Sequence, residues 1–151
     1  MRYWEDIAVG DRAAFGRYHV DRDEVLDFAR KFDPQPFHLS DEGASGTHFG
    51  RLAASGWHTA AMTMAMNVEH MTASGAVAGL GAAGIDELRW LKPVYPGDVL
   101  RCETIVEEVR ASKSRPDMGS VRNRMTVFNQ DDVAVMSFVG IGLYRRRPRT
   151  S

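Results

Sequence analysis

The chain has 151 residues, 44% of them hydrophobic and 26% charged, the proportions of one domain that can bury its own core without a disulfide or metal staple. Lysine and arginine number 19 against 20 aspartate and glutamate, so the net charge of −1 offers no global attraction to nucleic acid or to an anionic membrane. The single cysteine, Cys102, excludes an internal disulfide framework; Arg2, Glu5 and Asp6 stand where an export signal needs an apolar run, and together these features point to a cytoplasmic protein.

After a turn at Gly10-Asp11, Ala13 to Val20 suits a first strand. From Asp21 the period changes. Val25, Phe28, Ala29 and Phe32 fall at the i, i+3, i+4, i+7 spacing of one helix face, with acidic residues gathered in the first turn where the helix dipole favours them. Asp33 and Gln35 each precede a proline, which excludes helical backbone at both, so the spacing predicts a helix that stops near Phe32 and a stiff loop from Asp33 to His38. Ser40 to Arg51 reads as a loop with one helical turn starting at Ser40.

The longest uncharged stretch, Leu52 to Val68, contains Gly56, His58 and Asn67 and is too short for a membrane span. Within it WHTAAMTMAMNVEHM reads as a helix that is apolar around most of its circumference, with Thr59, Thr63 and Asn67 as one narrow polar stripe. Such a helix is expected to be buried on nearly every side, with Met62, Met64 and Met66 as adaptable core packing. Strands follow near Ala83 to Leu91, Val99 to Val109, Ser120 to Asn129 and Val133 to Tyr144, separated by turn chemistry at KPVYPGD, SRPDMG and NQDD. Sequential antiparallel strands joined by hairpins, wrapped around one buried helix, make an α+β domain.

Two features carry candidate chemistry. Asp33 and His38 flank a segment held by two prolines, and a carboxylate with an imidazole on stiff backbone can share the proton transfers needed to add or remove water. The same residues also fit a turn cap and a histidine packed at a loop edge. The second feature is the helix start at Ser55-Gly56, where the first amides lack intrahelical partners and can receive an oxyanion, and where a residue without a Cβ admits a close ligand approach. An ordinary helix start capped by Ser55 fits equally. His48, His58 and His70 have no metal-ligand spacing, and phosphate-cradling and nucleophile-elbow loops are absent. Arg110, Arg115, Arg122 and Arg124 and the basic tail from about residue 145 read as a solvated face, with phosphate contacts as the alternative.

The run Asp33-Pro34-Gln35-Pro36-Phe37-His38 resembles the hallmark of MaoC-like dehydratases, which include the (R)-specific enoyl-CoA hydratases of the hot-dog fold: Asp, any residue, Asn, Pro, an aliphatic residue, His. Gln35 stands where Asn is usual and Phe37 where the aliphatic residue is. Ser55-Gly56 resembles the family's His-Gly start of the central helix, and ELRWLKPVYPGDVL its strand-turn-strand signature. The resemblance implies an antiparallel sheet wrapped around a long central helix over the single domain 1–151. It also implies reversible hydration of a 2-enoyl thioester, with Asp33 and His38 activating water, the Gly56 amide binding the thioester oxygen, and Ser55 and Thr59 lining the site. It further implies a homodimer that takes coenzyme A as part of its acyl-CoA substrate and needs no other cofactor. A hot-dog thioesterase and a non-catalytic acyl-CoA-binding protein are the competing readings.

Overall fold

A computed structural model describes residues 1–75 and 78–150; Ser151, at the end of the basic tail, lies outside them. In chain order the elements are β1 (Arg12–His19), α1 (Arg22–Phe32), α2 (Asp41–Ser45), α3 (Gly56–Ala73), β2 (Gly79–Trp90), β3 (Val99–Ala111), β4 (Met118–Phe128) and β5 (Ala134–Arg145), with 3-10 turns at Trp4–Asp6 and Pro36–His38. The strands form one antiparallel sheet in the order β1-β3-β4-β5-β2. No helix among the described residues is long and apolar enough to cross a membrane.

α1 begins where its acidic first turn indicates, with Asp21 as the cap accepting from the Glu24 amide at 3.0 Å. Its expected face is buried at Val25 and Ala29, but Phe32 at the end of the stripe is 62% exposed. The single turn expected at Ser40 is α2, capped by the Ser40 hydroxyl. β3, β4 and β5 follow each other as hairpins, as the turn residues predict.

The segment KPVYPGD is not a hairpin, because β2 lies at the far edge beside β5 while β3 lies between β1 and β4. The connection crosses the end of the sheet instead. Prolines 93 and 96 cannot donate to a ladder, and the backbone around them bonds to three different places: Leu91 to the Val135 carbonyl, Val94 to the Ala54 amide, and Gly97 to the Val20 carbonyl. This crossing carries residues 91–94 past the first turn of α3, where they form a wall.

α3 departs from its expected all-round burial. Met62 and Met66 are 2% exposed and join Val20, Val25, Leu100 and Val127 in the main core, whereas Met64 is 50% exposed. The threonines face inward: Thr59 and Thr63 are buried, and the Thr63 hydroxyl donates to the Thr59 carbonyl at 2.8 Å. The outward face is Trp57, Ala61, Met64, Ala65 and Val68. A second, smaller core of Ile7, Val106 and Val121 is covered by Trp4 and Tyr144.

Candidate active site

The loop after α1 is held by its own backbone. The Asp33 amide closes the helix on the Ala29 carbonyl at 2.9 Å, both residues before the prolines leave the helical region, Asp33 at φ −150°, ψ 67° and Gln35 fully extended, and Pro36–His38 forms one tight turn. His38 is 4% exposed. Its Nδ1 lies 2.7 Å from the Ala53 carbonyl, an acceptor only, so Nδ1 carries the proton and Nε2 is left to face Asp33 Oδ2 at 3.5 Å.

Each Asp33 oxygen has a donor. The Ser55 hydroxyl donates to Oδ2 at 2.7 Å and the Gln35 amide to Oδ1 at 2.7 Å. Burial pushes the Asp33 carboxyl up, but the Ser55 and Gln35 hydrogen bonds and the nearby His38 outweigh it and hold the group below the ordinary carboxylate range. Ser55 also accepts from the Trp57 amide at 3.3 Å. One fully buried hydroxyl therefore caps α3 and orients the carboxylate, so the two sequence readings of Ser55 coexist.

Gly56 is the first residue of α3, and among the described residues no acceptor sits on its amide. It lines the same cleft of about 430 Å³ as Asp33, His38, Thr59, Trp90 and Lys92, a size suited to a small ligand. Thr59 is a buried part of the lining, with its hydroxyl turned toward the Ser55 carbonyl at 3.5 Å. His48 and Phe49 line the cleft from the loop after α2. A hollow of about 300 Å³ on the outer sheet face, between Arg12 and Arg124, includes Glu103 but no histidine to pair with it.

The sequence places Asp33, His38, Ser55, Gly56 and Thr59 as candidates; the fold brings Asp33, His38, Gly56 and Thr59 to one cleft, with Ser55 buried behind it and bonded to Asp33. Gln35, noted only as a departure from the hallmark, holds the second carboxylate oxygen. Trp57, Trp90 and Lys92 carry no signal in spacing: Trp90 at the end of β2 and Lys92 in the crossing connection meet α3 only through the topology.

His58 is buried, with Nε2 3.2 Å from Glu24 and its ring stacked on Phe28 at 4.7 Å, so it ties α3 to α1. Cys102 is fully buried, and desolvation pushes its thiol up to about 12, which leaves it inert as a nucleophile. The surface arginines are largely paired: Arg122 with Asp86 at 2.7 Å, Arg124 with Glu87 at 3.0 Å, and the tail's Arg146 and Arg147 with Glu5 and Asp6.

Residues 8–129 match the family described as MaoC like domain. A crystal structure of the MaoC-like dehydratase from Rhodospirillum rubrum superposes with a TM-score of 0.86 at 43% identity, over 97% of this chain and 99% of that one. The uncharacterized protein YdeM of Bacillus subtilis is 32% identical over 132 residues, 87% of this chain and 90% of its own. The mesaconyl-CoA hydratase of Cereibacter sphaeroides is 44% identical over 72 residues, which are 48% of this chain and 20% of that enzyme. The chain belongs to the MaoC-like dehydratase family, and its fold is the hot-dog fold of that family's hydratases.

Proposed function

We propose that this MaoC-like chain is a hydro-lyase that adds water reversibly across the double bond of a 2-enoyl thioester carried on coenzyme A. The observation that carries the reading is the Asp33 and His38 pair. It is oriented by Ser55, Gln35 and the Ala53 carbonyl, and it opens on the cleft lined by Gly56, whose amide has no acceptor among the described residues. The name of the Cereibacter sphaeroides relative supports a coenzyme A thioester as the substrate.

In the hydration direction a water between Asp33 Oδ2 and His38 Nε2 loses a proton to Asp33 as its oxygen bonds to the β-carbon. The π electrons move toward the carbonyl, and the charge growing on the thioester oxygen meets the Gly56 N–H. The enolate then collapses to take a proton at the α-carbon from His38 Nε2, supplied across the pair from the water. One water is consumed and the pair returns to its starting state. The thioester itself makes the β-carbon electrophilic, so the reaction asks for no cofactor. The working unit in this reading is a cytoplasmic homodimer of single-domain chains.

The test offers the purified protein a panel of 2-enoyl-CoA esters and follows enoyl absorbance and free thiol separately. Loss of absorbance without thiol is expected. Thiol release with the enoyl group intact would make it a thioesterase, and binding with neither change would make it an acyl-CoA-binding protein.

A further inference from the structure

Trp90 makes contacts with Gly56 that rim packing does not require. Its indole N–H donates to the Gly56 carbonyl at 2.9 Å, and a Cβ built on Gly56 would stand 2.6 Å from the indole nitrogen, so the ring lies directly against the Gly56 Cα. Trp57 braces it edge to face, with centroids 5.0 Å apart and planes at 82°. Trp90 ends β2 and is paired through its backbone with Met136 of β5, so the indole reaches α3 from the sheet and not from a loop. It is nonetheless 46% exposed.

These contacts give Gly56 a reason to be glycine that differs from the expected one. The direction a side chain would take is filled by the indole, while the glycine lines the cleft and its amide has no acceptor among the described residues. The first turn of a helix is the part least fixed by its own hydrogen bonds, yet an oxyanion donor acts only if it is aimed before the charge develops. A donor from the sheet on the Gly56 carbonyl, with a ring against its Cα, supplies that aim.

We propose that Trp90 is a positioning residue for the oxyanion donor: its N–H and ring fix the first turn of α3 so that the Gly56 amide points into the cleft. This rests on the role given to Gly56 in the proposed hydration. Trp90→Phe keeps a ring and loses the N–H; Trp90→Leu loses both. Since the side chain is half exposed, both variants should fold, which a thermal melt checks.

For the enoyl thioester that wild type hydrates, Trp90→Phe should lower kcat about five- to tenfold, the net effect of one hydrogen bond, with KM changed less than about twofold because ground-state binding is spared. Trp90→Leu should lower kcat about a hundredfold, the scale of a small misplacement of a catalytic group. A second readout needs no turnover. With ¹⁵N-glycine labelling, butyryl-CoA, which has no double bond to hydrate, should move the Gly56 amide resonance in wild type and leave it nearly still in Trp90→Leu.

Folded variants with wild-type kcat, or an equal Gly56 response in Trp90→Leu, overturn the positioning role and leave hydration intact. A Gly56 amide that is silent in hydrating wild type overturns both the oxyanion assignment and the role of Trp90. If wild type hydrates nothing while Gly56 responds and Trp90→Leu does not, hydration fails and the positioning role stands.

Discussion

Asp33 is a carboxylate pulled in two directions, and the balance fixes its pH behaviour. Burial favours the neutral acid, while Ser55, Gln35 and His38 favour the anion and prevail. Because the folded value is depressed, the stabilisation from ionised Asp33 is fully present above the ordinary value of about 3.9 and is lost as pH falls through the folded value. An acid limb of kcat/KM due to Asp33 should therefore lie below about pH 4. Ser55→Ala removes the donor to Oδ2 and the cap of α3 together. Its acid limb should move upward and its stability fall by about 1 kcal/mol, the usual cost of a lost cap; a pH–rate profile superimposable on wild type would remove Ser55 from the site. Asp33→Asn and His38→Ala should each keep the fold and lose at least about a hundredfold in kcat, as expected for a missing acid or base; near-normal turnover in either would end that residue's assignment. The sequence makes this pair legible because two prolines stiffen its loop. It cannot show that Ser55, 22 residues further on, completes the carboxylate's shell, because that contact is made only when α1 and α3 pack.

At the scale of elements, capped and strongly periodic segments were readable and evenly apolar ones were not. α1 and α2 announce themselves through Asp21 and Ser40. α3 has too little polar contrast to say which face turns inward, so its threonines proved buried and its methionine at 64 exposed. In β2 the irregular pairing between Asp86 and Arg89 contains Glu87 at φ +55°, a conformation that no sequence signal for glutamate predicts. The opening turn at Trp4–Asp6 carries no sequence signal either. Its Trp4 indole donates to the Ser120 carbonyl at 3.2 Å and lies over Gly119, where a Cβ would come within 2.7 Å of the ring. Trp4→Ala should expose the second core and cost about 2 to 3 kcal/mol, less than a fully buried tryptophan. None of that core's residues lines the cleft that holds Asp33 and His38. A urea melt with kcat measured alongside checks this, since a large fall in kcat in the folded variant would mean that the two cores are coupled.

For the whole molecule, what remains uncovered argues for a second copy. The outward stripe of α3 exposes Trp57 by 59%, Met64 by 50% and Val68 by 47%, and the β2 strand at the sheet edge exposes Leu80 by 40% and Ile85 by 51%. An apolar helix face and an unpaired strand edge are surfaces that a monomer in water rarely keeps, and a twofold pairing suits both because each copy brings the same patches. Trp57 belongs to this stripe and also lines the cleft, so covering the stripe would build part of the rim around the Asp33 and His38 pair. Wild type should therefore run at twice the chain mass in light scattering at micromolar concentration. Ala65→Glu places a charge in the middle of the exposed stripe, on a residue that touches neither the main core nor the cleft. It should fold, run at one chain mass and bind butyryl-CoA more weakly, because the rim beside Trp57 is left open. A wild-type protein that is fully active as a monomer, or an Ala65→Glu variant that remains a dimer, would show that this face serves another purpose.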